Sequence, residues 1–345
     1  MNTTVLEAET AAVEILEQRS ASSAPAHHEP LTGAVVWDRD SLPPAAGKLA
    51  VSPECLEEVD RMVQVLRRNK LAMELLTPDD FSLDACRALM GQTRRELTDG
   101  VGFVILDRFE AQRYSVDENR AIYWVLMQLV GRPVAQDVQG GMMYDVRDEG
   151  KPVGNGVRPV LTAVGQPFHT DNNFNLCAPD YVALYCLRTA QEGGINSVVS
   201  FYHVYNEMLK RHPDLLPRLF EPVLYDRQRE HAPGEPMVVK HPAFEYDAAG
   251  RLTCRFSIKQ IQNGYKLAGQ QPDELAERAL LALESIMREP ASQREFYFEP
   301  GQMQIVDNRR CGHRRSAFTD FPDPALRRHL LRLWLRGEGR RFYNG

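Results

Sequence analysis

The chain is predicted to be mainly β, with a sandwich or jelly-roll core decorated by helices that precede it, and three observations lead there. From about Thr162 onward, short apolar runs are separated by Gly, Pro, Asn and Asp, the pattern of strands joined by turns. Before that point apolar residues recur at helical spacing behind capping side chains. No internal repeat interrupts either region.

In order along the chain, residues from Arg19 to about Pro44 are rich in Ala, Ser, Pro and His without a sustained period, so a loosely attached lead-in spanning residues 1–45 is expected. His27 and His28 read as a surface pair within it. Ser52-Pro53 and Thr77-Pro78 each set a capping side chain before a proline, opening helices that reach roughly Arg68 and Leu97. Val101 to Leu106 is a short apolar run between Gly100 and Asp107, read as a buried strand. Ser115-Val116-Asp117-Glu118 is a capping box before Ala121 to Leu126, with Gly131 placed to end that helix. Strands are then expected at Tyr181 to Leu187, Ile195 to Ser200, Val238 to Val239, Leu252 to Ile258, Glu295 to Phe298, Met303 to Asp307 and His329 to Arg336. Helices interrupt them at about Tyr202 to Lys210 and Asp273 to Met287. The basic, polar stretch from Arg336 to Gly345 is expected to cover an edge of the barrel or a neighbouring subunit.

The 345 residues carry 43% hydrophobic and 26% charged side chains and a net charge of -6, an ordinary globular balance with ample chain for a large core. Nucleic-acid binding, which wants a basic face, is not expected. Six cysteines lie far apart without a Cys-x-x-Cys pair, so they are expected reduced. Glu7, Glu9, Glu14 and Glu17 stand where a secretory signal would be basic and then apolar, and no stretch approaches the ~20 apolar residues of a membrane span. A cytoplasmic location follows as the expectation.

Chemistry concentrates at Phe168-His169-Thr170-Asp171, where a His and an Asp two residues apart on an extended segment point to one side. With His313, they would supply two imidazoles and one carboxylate, a set suited to non-haem Fe(II) with positions left open. Alone, His313 is weaker, since the chain has nine histidines and a single one is usually a core or surface residue. His203 and His212 fall in helical stretches, His231 and His241 flank a Pro-rich loop, and His329 belongs to a strand. Cys311-Gly312-His313 hints at zinc, yet no second cluster completes such a site.

Phe168 to Asn173, Glu192-Gly193-Gly194, Asn308 to Phe318 and Arg327 to Leu335 stand in an order that resembles the taurine dioxygenase-like (TauD/TfdA-type) family of Fe(II)/2-oxoglutarate-dependent oxygenases, over about Leu97 to Arg336. The resemblance implies a double-stranded β-helix within a single oxygenase domain over 46–340, helical to about 135 and a jelly roll from about 155 to 336. It implies iron on His169, Asp171 and His313, and molecular oxygen and 2-oxoglutarate as co-substrates. An arginine of the last core strand, matched by Arg332, would hold the distal carboxylate, with Arg328 on the same strand face and Asn196 in a position where the family often has Thr or Ser. A guanidinium suits that role because it grips a carboxylate through two parallel bonds. Arg315 matches a further family arginine, and Asp171 makes halogenation unexpected, since family halogenases lack that carboxylate.

The expected reaction is hydroxylation or desaturation of a small organic acid, amino-acid-like compound or natural-product intermediate, releasing succinate and CO2. Asn172, Asn173 and Asn175 are either substrate contacts or plain turn formers. Lys240, Arg255 and Lys259 either meet an anionic group or form a solvated face. A cupin-like metal enzyme acting without 2-oxoglutarate, and a metal-free binding jelly roll, stand as alternatives.

Overall fold

In the computed structural model, residues 15–17, 29–150 and 159–345 are described. His27, His28, Glu7, Glu9 and Glu14 lie outside them.

The N-terminal helices follow their caps. Ser52 accepts from the Cys55 N–H and opens a helix over Pro53–Arg68, and Ser115 with Glu118 forms the expected reciprocal box before Val116–Gln128. The second helix departs from expectation. Thr77 caps only a single turn, Pro78–Asp80, and the helix proper starts again at Asp84–Thr98. Its first amides are taken by the buried carboxylate of Glu58, which accepts from Ala85 and Cys86 at 2.9 Å each, a cap supplied from another helix and therefore invisible locally. The buried faces of these three helices pack on one side of the large sheet.

That sheet has seven strands. In order they are Lys48–Ala50, Phe103–Asp107, Met303–Asp307, Tyr181–Arg188, His329–Arg336 and Arg132–Val134, with Tyr144–Val146 also pairing to His329–Arg336. The smaller sheet runs Gln293–Phe296, Asn196–Ser200, Cys311–Arg315, Gln166–His169. The two sheets face each other: Val182, Leu184 and Arg332 of the first and Gln166, Asn196 and His313 of the second line one cavity. His329–Arg336 is buried along its whole length and sits inside its sheet rather than at an edge, so its arginines are not edge guards.

Three further expectations need correction. Residues 29–44 are not loose, since Val35, Trp37 and Leu42 are buried and the Trp37 indole donates to the Val101 carbonyl at 2.8 Å; these anchors sit in turns, which carry no period to read. The strand expected over Leu252 to Ile258 ends at Cys254. Ser257 then caps a helix over Ile258–Leu267, and Phe256 and Ile258 on either side of that cap imitate a continuing strand. The strand Cys311–Arg315 was not anticipated, because Arg, Cys, Gly and His have no strong strand preference and only pairing to its two neighbours makes it one.

A candidate metal centre between two sheets

His313 and His169 are direct cross-strand partners in the antiparallel pair formed by Cys311–Arg315 and Gln166–His169, a position that brings side chains together across a sheet. The two ring centroids are 4.5 Å apart. Gly312 lets this strand lie flat, since a Cβ there would stand 2.8 Å from the Phe201 ring.

Asp171 reaches the pair by a different route from the one its spacing suggests. The strand stops at His169, and Asp171 opens a turn in which Asn172 adopts a left-handed backbone (φ 54). Alternation along a strand therefore does not orient the carboxylate. Asn308 does: its side chain accepts from the Asp171 N–H at 2.8 Å and donates to the Asp171 carbonyl at 3.0 Å. Thr170 is tied to Phe256 through both backbone and hydroxyl. As a result Asp171 Oδ1 lies 3.3 Å from His169 Nε2 and 3.4 Å from His313 Nε2. The three donor atoms lie within 4.8 Å of one another, the one such group of His, Cys, Asp or Glu found among the described residues.

The second carboxylate oxygen is occupied from behind. Trp334 Nε1 donates to Asp171 Oδ2 at 2.6 Å and Arg332 Nη1 at 3.0 Å. Gln136 in turn brackets Arg332, accepting from its Nε and donating to its carbonyl. Burial works to raise the Asp171 pKa, but Arg332 and the two imidazoles hold the carboxyl well below its usual range. His313 is pushed down by burial and by the neighbouring His169, which favours the neutral imidazole that ligates metals. His169 Nδ1 lies 2.9 Å from the Pro167 carbonyl, placing the ring proton there and leaving Nε2 as the lone-pair nitrogen. Two imidazole nitrogens and one carboxylate oxygen, brought within 4.8 Å of one another, fit a divalent non-haem iron.

Beside this cluster lies an excess of positive charge. Arg315 and Arg328 flank the same Phe318 ring, at 4.7 and 5.0 Å from its centroid, and both line the cavity shared with His169, Asp171, His313 and Asn196. Each is buried, yet Arg328 Nη1 and Arg315 Nε and Nη1 have no hydrogen-bond partner among the described residues. Burial pushes Arg328 down to about 10, and burial with the nearby Arg328 charge pushes Arg315 to about 9. Three idle buried donors on two cations call for an anion. Asn196 adds its amide to the same cavity, although its nitrogen also reaches the Gly194 carbonyl at 3.2 Å. The Gly193-Gly194 turn that precedes it has positive φ at both residues.

A second cavity of about 120 Å3 shares His169, Asp171 and Arg332 with the first and is lined further by Thr162, Asn172, Gln228, Lys259, Gln260 and Tyr343 among others. Sequence reasoning missed Gln136, Trp334 and Tyr343 as site residues because nothing in their local patterns marks them. The competing histidines fall away: His203 and His212 lie in and at the end of the helix Phe201–Arg211, His241 is a buried strand residue bonded to the Phe174 carbonyl, and His329 pairs with Asp145 at 2.6 Å. Arg255 is buried and donates to the Asn173 and Asn175 carbonyls, so it braces the turn after Asp171. No helix among the described residues is long and apolar enough to cross a membrane, and all six cysteines are free.

Comparison with known proteins adds four findings. The sequence model of the Taurine catabolism dioxygenase TauD, TfdA family matches residues 70–334. FR-33289 synthase of Streptomyces rubellomurinus is 32% identical over 322 residues, 91% of this chain and 93% of that protein. The solved structure of asparagine oxygenase in complex with Fe(II), 3-hydroxyasparagine and succinate superposes with a TM-score of 0.63 at 19% identity, over 84% of this chain and 94% of that one. The non-haem iron oxygenase OrfP with Fe and alpha-ketoglutaric acid superposes with a TM-score of 0.60 at 16% identity, over 84% and 94%. At such identities the two structures establish the fold, a double-stranded β-helix core.

Proposed function

The chain belongs to the taurine catabolism dioxygenase TauD/TfdA family and is an Fe(II)- and 2-oxoglutarate-dependent dioxygenase; within that class we propose that His169, Asp171 and His313 hold the iron and that Arg328 holds the co-substrate. The observation that carries the metal assignment is the cross-strand pairing of His169 with His313 over one Asp171 oxygen. Bound there, the metal supplies the oxidising chemistry that couples decarboxylation of 2-oxoglutarate to oxidation of a substrate.

The protein's own part is positional. Trp334 and Arg332 take Asp171 Oδ2, so Oδ1 is left to face the ion together with two Nε2 atoms. Arg328, with Arg315 behind the same aromatic ring and Asn196 alongside, receives the distal carboxylate of 2-oxoglutarate. Arg332, the residue that the family resemblance matches to that carboxylate, serves instead to fix Asp171 in this reading, since its guanidinium is engaged there and with Gln136. The open donors of Arg328 and Arg315 favour this reading over a cupin-like enzyme without 2-oxoglutarate, which would leave them unmatched.

The substrate is a small organic acid or amino-acid-like compound, hydroxylated or desaturated in the cavity that holds Asn172, Gln228, Lys259 and Gln260. The polar side chains set among an otherwise apolar lining support this, as does the hydroxylated amino acid bound by the asparagine oxygenase of the same fold. One oxygenase domain over about 46–340 and a cytoplasmic location complete the proposal, the latter supported by six free cysteines.

Anaerobic addition of Fe(II) and 2-oxoglutarate should give a weak visible charge-transfer band that disappears in His169→Ala. Iron-loaded protein showing neither that band nor succinate formation would overturn the reading. Mass spectrometry of a metabolite pool treated with iron, 2-oxoglutarate and ascorbate, scanned for one added oxygen or two lost hydrogens, identifies substrate and outcome together.

A further inference from the structure

Nine residues from the end of the last strand to Gly345 fold back onto the turn that carries Asp171. Arg336 closes the loop by donating to the carbonyls of Arg340, Phe342, Tyr343 and Cys177. Asn344 accepts from the Asn175 side chain at 3.2 Å, and Ala135 donates to the Arg341 carbonyl at 2.9 Å. The tail thus grips the far end of the 171–175 turn and the segment preceding Gln136.

Tyr343 is the residue this arrangement delivers. Its side chain is 5% exposed and packs against Val134, Ala135, Val182 and Trp334. Its hydroxyl lies 3.0 Å from Asn172 Oδ1, and the ring lines the same cavity as His169, Asp171 and Arg332. It therefore touches two neighbours of the carboxylate at once. One is Trp334, whose indole N–H holds Asp171 Oδ2. The other is Asn172, which adopts the left-handed backbone that turns the chain immediately after Asp171. An amide anchored at its oxygen in such a backbone cannot swing freely, and the residue before it is fixed with it.

We propose that Tyr343 is a positioning residue of the metal centre: reaching it from the C-terminal tail, it locks the turn after Asp171 and backs Trp334, and so sets the direction from which Asp171 meets the ion. This rests on the reading of His169, Asp171 and His313 as the metal ligands. Groups that orient a ligand from outside the coordination sphere commonly change metal affinity without contacting the metal.

The test uses the full chain and Co(II) as an oxygen-stable probe whose visible absorption reports ligand geometry. Tyr343→Phe keeps the packing ring and removes the hydroxyl; Asn172→Gly keeps the left-handed turn and removes the amide. Each should weaken Co(II) binding about tenfold and shift the visible bands, with far-UV dichroism unchanged. The double variant should lose no more than either single one, because both remove one interaction. Should Tyr343→Phe misfold, Asn172→Gly carries the comparison. A single variant that binds Co(II) like the parent with the same spectrum, or a double variant whose loss is the product of the two, overturns the proposal. Failure of the parent itself to bind Co(II) would instead overturn the metal centre.

Discussion

At the scale of single residues, two arginines four positions apart, Arg328 just before the last strand and Arg332 within it, are told apart by what they touch. Arg332 has acceptors in Asp171 and Gln136, whereas Arg328 Nη1 has none among the described residues. A buried guanidinium left so is unfavourable until a carboxylate arrives, and the pair then formed is charge-assisted. Arg328→Leu should raise the 2-oxoglutarate dissociation constant about a hundredfold, the scale of losing a buried bidentate ion pair. Co(II) affinity should stay unchanged, as measured by titration with and without the co-substrate; equal loss of both would assign Arg328 to the metal centre instead. Strand alternation placed both arginines on one common face from the sequence alone, although the strand itself begins only at His329. It could not choose between them, because the choice depends on Gln136 and Asp171, which come from elsewhere in the chain.

At the scale of elements, Asp145 joins three of them. It belongs to the strand Tyr144–Val146, accepts from Arg120 of the helix Val116–Gln128 at 2.6 Å, and meets His329 of the last strand at 2.6 Å. Burial opposes its charge, but the hydrogen bonds from His329 and Arg120 prevail and hold its pKa below the usual carboxylate value. The folded value is thus lower than the unfolded one. The stability it contributes is fully present above about pH 4 and is lost as the pH falls through the folded value. Asp145→Asn should therefore be less stable than the parent at pH 7, and the difference should shrink steadily below pH 4, followed by urea unfolding at several pH values. A gap that stays constant with pH would mean that Asp145 acts through packing rather than charge. Two of the helices were legible from their caps, Ser52 and Ser115, since a cap is a local signal. The start at Asp84 was not, because its cap is Glu58, a residue of another helix.

At the scale of the whole molecule, the cavity proposed for the metal and the co-substrate lies where the two sheets face each other and is lined by strands of both. Ligands that bind only the folded state stabilise it by mass action, about 2.7 kcal/mol at a hundredfold excess over the dissociation constant. Co(II) with 2-oxoglutarate should accordingly raise the Tm of the parent by several degrees in a thermal scan. His313→Ala should lose that increase, since it removes one of the three donors proposed to hold the ion. An equal increase in both proteins would place the binding elsewhere.

By itself the sequence determined the class of the protein and the chemistry available to it: turn-punctuated strands after capped helices, and a His-x-Asp pair with a distant His in the order its family shares. Those are local or linear properties, carried by neighbouring residues. Only the tertiary structure decided that His313 lies opposite His169, that Asn308 rather than strand alternation turns Asp171 inward, and that Tyr343 reaches Asn172 beside it. Each depends on contacts between residues far apart in the chain, and such pairings are set by the packing of the whole sheet, which no local pattern encodes.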